Sequence, residues 1–151
     1  MSEALIRRDE PGTRAVLYLE NNAPNLFLME LLLSQLGDLH MVTAADFDQA
    51  IETLTELAPL LVIADLHQPG MDGADGVRRL KAHPAMGTTP LIAVSTDHDA
   101  AVERAAWEAG SDEFMTEPMD IQRLQTVVRA LTDAERERRR LPADQTQERS
   151  A

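Results

Sequence analysis

Cysteine is absent from all 151 residues, which excludes disulfides, thiolate nucleophiles and zinc sites built on cysteine. Aromatic side chains make up only 3% of the chain, too few for the stacking platforms that hold single-stranded nucleic acids. Positive charge is scarce as well. Fourteen Lys and Arg stand against 26 Asp and Glu, for a net charge of −12. Such a surface is short of the cations that neutralise backbone phosphates, which argues against direct nucleic-acid binding. No apolar run approaches the roughly 20 residues that span a bilayer, and the first residues lack a signal-peptide core. The expectation is a soluble, cytoplasmic protein with no membrane contact. Lysine occurs once, at Lys81.

What is present is an alternation. Short apolar segments at residues 15–19, 40–43, 60–64, 90–95 and 113–116 read as strands. Between and after them, residues 23–36, 46–57, 73–82, 99–109 and 119–136 read as helices, with stops at Gly37, Pro59 and Gly110. Five strand–helix units in a row imply one α/β domain with a parallel sheet covered on both faces. The polar leader 1–13 and a charged stretch after Thr132 flank it.

Open α/β sheets bind their ligands at the carboxyl ends of the strands, so those ends carry the chemistry. The central segment 60–64 runs into Asp65-Leu66-His67-Gln68-Pro69-Gly70-Met71-Asp72-Gly73. A carboxylate at a strand tip, followed by the tight turns that Pro-Gly and Asp-Gly impose, is a candidate covalent phosphate acceptor. Strand 1 ends at Glu20-Asn21, strand 4 at Ser95-Thr96, and strand 5 runs into Glu117-Pro118. Acids from two strands suit a hard cation such as Mg²⁺, and the Ser95 hydroxyl could bond a phosphoryl oxygen.

These landmarks resemble the receiver domain of two-component response regulators over about residues 14–132. Asp65 with Pro69, Met71, Asp72 and Gly73 resembles the phospho-acceptor and its loop. Glu20-Asn21 resembles the acidic pair after strand 1, Ser95 the switch hydroxyl, Phe114 the switch aromatic, and Glu117-Pro118 the Lys-Pro step, whose Pro118 follows a cis peptide in the family. The resemblance implies a flavodoxin-like, doubly wound five-stranded parallel sheet of order 2-1-3-4-5. It implies a Mg²⁺ site on Glu20, Asn21, Asp65 and the backbone carbonyl of His67. It also implies a sensor histidine kinase, a histidine phosphotransfer protein or another signalling protein as partner.

Two departures fall on the site itself. Asn21 stands where the family has an acid that ligates Mg²⁺, and Glu117 stands where the family has a lysine that contacts the phosphoryl group. Lys81 cannot substitute, because it belongs to the helix after the Asp65 loop. A carboxylate about 4 Å from a phosphoryl oxygen repels by about 4 kcal/mol per unit charge at an effective dielectric near 20, where the lysine would have attracted. The expectation is a pseudo-receiver: a module with weakened or absent Mg²⁺ binding and impaired or absent phosphorylation of Asp65, acting through protein contacts. The alternative is a working phosphorelay receiver with altered rates. Glu117 could also replace the lost metal ligand, or simply turn outward; neither is the reading favoured. A phosphatase-like hydrolase would need a second acid two residues after Asp65, and His67 stands there, so the chain is read as no enzyme.

The remaining features are weighed more simply. His67 is expected as an exposed loop histidine, His40 and His83 as ordinary surface or half-buried histidines, and Trp107 and Phe114 as core or half-buried packing. In the first helix Leu28, Leu32 and Leu36 with Met29 and Leu33 should face the sheet, leaving Leu26, Phe27 and Leu31 as an outward patch. A homodimer through helix 4, strand 5 and helix 5 is the family-based expectation for self-association. The organisation expected is a flexible leader 1–13, a receiver domain 14–133, then a solvated charged helix extension and disordered tail 134–151. No effector domain fits in the flanks, so the chain is either a stand-alone regulator or a fragment.

Overall fold

Strands β1 (Ala15–Leu19), β2 (His40–Ala44), β3 (Leu61–Asp65), β4 (Leu91–Ser95) and β5 (Glu113–Thr116) pair in parallel in the order β2-β1-β3-β4-β5. This is the arrangement in the computed structural model of the chain, which describes residues 14–68 and 70–141. Leu19 lies opposite Ala44 and Ala64, Asp65 opposite Val94, and Ser95 opposite Thr116, so the strands end together along one edge. Helices α1 (Ala23–Ser34), α2 (Phe47–Leu57), α3 (Gly73–Ala82), α4 (Ala100–Glu108) and α5 (Ile121–Arg140) alternate with them. The expected sheet is therefore the observed one, with boundaries shifted by a residue or two except at the last helix.

Every helix starts behind an Asn or Asp. Asn22, Asp46, Asp72, Asp99 and Asp120 accept the backbone N–H of Asn25, Gln49, Asp75, Ala101 and Arg123 respectively. Each such cap stabilises its helix by about 1 kcal/mol. Because each helix begins where a strand ends, the caps also crowd acidic side chains along the carboxyl edge.

Alternation along the strands divides the core in two. Val16, Tyr18, Leu61, Ile63, Ile92 and Val94 pack under Met29, Leu32 and Leu33 of α1 and Leu124 and Val128 of α5. Leu17, Leu19, Val62, Ala64, Leu91 and Ala93 pack on the other face, with Phe47 and Leu54 of α2 and Val77 and Leu80 of α3. Two glycines permit close approach. A Cβ on Gly76 would lie 2.4 Å from the Phe47 ring, and one on Gly73 would lie 2.6 Å from the Leu66 carbonyl oxygen.

Three expectations are corrected. At about 100° per residue, Met29, Leu32 and Leu33 share one arc of α1 and Leu28 falls at its edge. Leu28 is accordingly exposed, Leu26 is half-buried against the core, and the outward patch is Phe27, Leu28 and Leu31. Trp107 is also exposed, its indole N–H donating to Glu103 Oε2 at 3.2 Å.

The third correction concerns the charged extension, which continues α5 to Arg140 and is docked rather than solvated. Glu135 is 2% exposed. Its carboxylate accepts from Arg138 Nε and Arg139 Nε at 2.9 Å and from Thr88 Oγ1 at 3.0 Å. Arg139 reaches on to the carbonyls of Ala58 and Pro59 at 3.1 and 2.7 Å. The leader 1–13 and the tail beyond Leu141 lie outside the described residues. No helix among the described residues is long and apolar enough to cross a membrane.

Candidate functional site

The carboxyl edge gathers what the strand ends promised. One carboxylate oxygen each from Glu20, Asp65 and Glu117 lies within 4.8 Å of the others. Glu20 follows β1 and is buried, and four donors hold it. The Tyr18 hydroxyl and the Asn25 amide donate to Oε1 at 3.3 and 3.1 Å, and the Asn21 and Asn22 N–H groups to Oε2 at 3.1 and 3.2 Å. Asp65 closes β3, and its Oδ1 accepts the His67 N–H at 2.9 Å. Glu117 follows β5. Its own N–H donates to the Ser95 carbonyl at 2.8 Å, a cis bond joins it to Pro118, and its Oε2 is buried without a hydrogen-bond partner. The outward rotation considered for Glu117 is not what the chain adopts.

Crowding like charges in a poorly hydrated corner works against ionisation. Burial raises the Asp65 carboxyl above its ordinary range; the His67 N–H offsets part of that shift, and the Glu20 charge adds to it. Burial likewise raises Glu117, reinforced by the charges of Asp65 and then Glu20. Tyr18, fully buried and bonded to Glu20, is held firmly as the neutral phenol, first by burial and then by the Glu20 charge. The lysine that could relieve this crowding is elsewhere. Lys81 Nζ donates to Asp112 Oδ2 at 3.0 Å and to the Thr89 carbonyl at 3.2 Å, at the amino ends of β5 and β4.

Ser95 closes β4 and is fully buried. Its Oγ lies 2.7 Å from His67 Nε2, accepts the Asp97 N–H at 2.9 Å, and lies 3.2 Å from the Asp97 carbonyl. Phe114 is buried on the sheet face covered by α2 and α3, apart from the polar cluster. Asn21 is exposed beside Glu20. His40 is exposed as expected, and His83 Nδ1 accepts the Ala85 N–H at 3.0 Å.

Sequence reasoning placed Glu20, Asp65, Ser95 and Glu117 at one edge, and the structure brings them there. It missed the supports of Glu20. Tyr18 shares the strand face of Glu20 at the i, i+2 spacing, a signal that was available; Asn25 lies a turn into α1 and gave none. It also missed the reach of the His67 imidazole. His67 is exposed as a residue, yet one ring nitrogen is engaged at a buried hydroxyl.

The donor set suits a hard cation. Three carboxylates within reach of one another offer oxygen ligands of the kind Mg²⁺ takes, and the orphaned Glu117 Oε2 is an oxygen without a partner. The same set suits a phosphoryl group poorly, because the described residues place no Lys or Arg in contact with these carboxylates.

Comparison with known proteins agrees with this geometry. The chain is 25% identical over 119 residues to a probable chemotaxis protein CheY of Rhizobium etli, covering 79% of this chain and 92% of that one. It is 28% identical over 116 residues to the sensor protein GacS of Pseudomonas syringae, covering 75% of this chain but spanning only 13% of that protein. The receiver domain of a sensor histidine kinase from Pseudomonas aeruginosa superposes with a TM-score of 0.71 at 22% identity, over 80% of this chain and 98% of that one. That structure has a magnesium ion coordinated in its active site cleft. Residues 16–129 match the sequence model of the response regulator receiver domain. With that match reaching all five strands and the strand order agreeing, the chain belongs to the response regulator receiver family.

Proposed function

We propose that this chain is a receiver module of two-component signalling that takes up little or no phosphate at Asp65 and works through protein contacts. The observation that carries the proposal is the Glu117 carboxylate, within 4.8 Å of Asp65 and Glu20 where the family pattern has a lysine. A divalent cation such as Mg²⁺ would be held by Glu20, Asp65 and Glu117, and would supply charge neutralisation there. Even so, three carboxylates and one dication leave one net negative charge. The family's pattern, with three acids, the dication and the lysine, is neutral. An incoming phosphoryl group therefore meets net repulsion in this chain where the family's neutral site, with its lysine, offers none.

Asp65 is the acceptor position, Ser95 the switch hydroxyl and Phe114 the switch aromatic by their match to the family pattern. Asn21 contributes no charge to a cation, and the His67 carbonyl would be a further oxygen ligand. The patch Phe27, Leu28 and Leu31 on α1 is where a sensor histidine kinase, a histidine phosphotransfer protein or another signalling protein would dock, since clustered exposed apolar side chains mark interaction sites. Likeness to the sensor protein GacS supports a histidine-kinase partner. Self-association would use α4, β5 and α5. The module is read as non-enzymatic and cytoplasmic.

The rival, a working phosphorelay receiver, draws support from Asp65 and Ser95 standing at the ends of adjacent strands. Acetyl phosphate with millimolar Mg²⁺, followed by intact mass, separates the two. The proposal expects an unmodified chain. Near-complete conversion, abolished by Asp65→Asn, would establish the rival.

A further inference from the structure

Ser95 Oγ is a small inventory that is already full. A hydroxyl has one proton to give and two lone pairs to receive. Here it accepts the Asp97 N–H at 2.9 Å, faces the Asp97 carbonyl at 3.2 Å, and meets His67 Nε2 at 2.7 Å, the shortest of the three. If the serine proton goes to the Asp97 carbonyl, the imidazole donates from Nε2; if it goes to the imidazole, the carbonyl contact is the weak one. In either arrangement His67 holds one of the hydroxyl's places. His67 is fixed at its other end too, since its backbone N–H donates to Asp65 Oδ1 at 2.9 Å. The residue thus bridges the tips of β3 and β4 with two hydrogen bonds, one from the backbone and one from the ring.

We propose that His67 is a positioning residue: its imidazole pins the Ser95 hydroxyl and, through the Ser95–Asp97 bonds, holds the β4–α4 segment in a single conformation. The bonds form a chain in which the His67 ring, Ser95 Oγ and the Asp97 backbone depend on one another. Asp97 is exposed as a residue, and its amide N–H is held by the partly buried bond to Ser95 Oγ. Removing the imidazole leaves a fully buried hydroxyl short of one partner, and a serine in that position turns to find another. For signalling, the consequence rests on the receiver reading above. An anion at Asp65 and the imidazole of His67 would compete for the same hydroxyl, so the latch opposes any shift of the β4–α4 segment that occupancy of Asp65 would drive.

The test uses the full chain with a chelator and no phosphodonor, so its outcome is independent of whether Asp65 takes phosphate. Nitrogen-15 NMR of the His67 ring and hydrogen exchange at the Asp97 amide are recorded for wild type, Ser95→Ala, His67→Ala and His67→Gln. The latch predicts that Ser95→Ala moves the His67 Nε2 resonance. It predicts that His67→Ala speeds exchange at Asp97 about tenfold, the effect of losing one hydrogen bond's net contribution, while amides in β1 and β3 are unchanged. His67→Gln, which restores a side-chain donor and acceptor, should slow Asp97 exchange again. A mere packing role would accelerate the β1 and β3 amides along with Asp97 and would show no rescue by Gln. An unmoved ring resonance in Ser95→Ala, or wild-type exchange at Asp97 in His67→Ala, overturns the proposal.

Discussion

Two buried carboxylates stand at opposite edges of the same sheet and are treated in opposite ways. At the amino edge Glu135 is met by two arginines and Thr88, and Arg139 passes the network on to the carbonyls before β3. At the carboxyl edge Asp65 shares its corner with Glu20 and Glu117, and one Glu117 oxygen has no partner. The first cluster is compensated, its one carboxylate facing two guanidinium groups, and satisfied in hydrogen bonds, and its effect is to fasten α5 to the body. The second is neither. Burying like charges together costs stability, and a fold that places both clusters around one core shows that compensation was available. Uncompensated charge at the strand tips is what the proposed divalent cation would neutralise.

The contrast gives graded expectations. Glu135→Ala should have the largest effect, because it strands two partly exposed arginines and the Thr88 hydroxyl. A loss of about 2 kcal/mol in denaturant unfolding is expected, with helix content falling as the end of α5 detaches. An unchanged midpoint would mean that the amino-edge cluster fastens nothing.

Glu117→Gln should act in the opposite direction, stabilising the cation-free protein by about 1 kcal/mol at neutral pH after discounting for solvent. The sign of its pH dependence follows from the raised Asp65 and Glu117 carboxyls. Between the ordinary carboxylate range and the raised folded values, the folded state binds more protons than the unfolded state. This cluster's penalty is therefore absent below the ordinary range and grows as pH rises through the raised values. The advantage of Glu117→Gln over wild type should accordingly vanish on acidification below the ordinary carboxylate range and grow as pH rises above it. An advantage that grew on acidification would reverse the assignment. Millimolar Mg²⁺ should stabilise wild type by about 1 kcal/mol through mass action and Glu117→Gln by less, as thermal unfolding would report.

The smallest effect on stability belongs to the α1 patch. Phe27 is 70% exposed, so Phe27→Ser with Leu31→Ser should change stability by less than about 0.5 kcal/mol, while binding of a histidine-kinase partner falls. Retained binding would move the docking surface to α4, β5 and α5.

How much of this was readable in the chain differs between the two edges for a physical reason. Strand tips are fixed by local apolar runs and the turns after them, so Glu20, Asp65, Ser95 and Glu117 could be placed together from order alone. Which way Glu117 turns depends on the path from β5 into α5, which no periodicity encodes. The amino-edge cluster was misread altogether. Glu135, Arg138 and Arg139 lie in a run whose composition is that of a solvated helix, and what anchors it are groups far away in sequence: Thr88 at Glu135, and the carbonyls of Ala58 and Pro59 at Arg139. The reading of α1 failed at Leu28 and Leu26, at the margins of the buried arc, where a small rotation of the helix decides exposure.

The most direct test of the central claim, that charge at the carboxyl edge sets Asp65 apart from its relatives, is intact mass after acetyl phosphate and Mg²⁺ on wild type beside Asn21→Asp combined with Glu117→Lys. The account predicts an unmodified wild type and a double variant that gains one phosphate, lost again when Asp65→Asn is added. Equal labelling of both proteins, or none in the double variant while it remains folded, would contradict it.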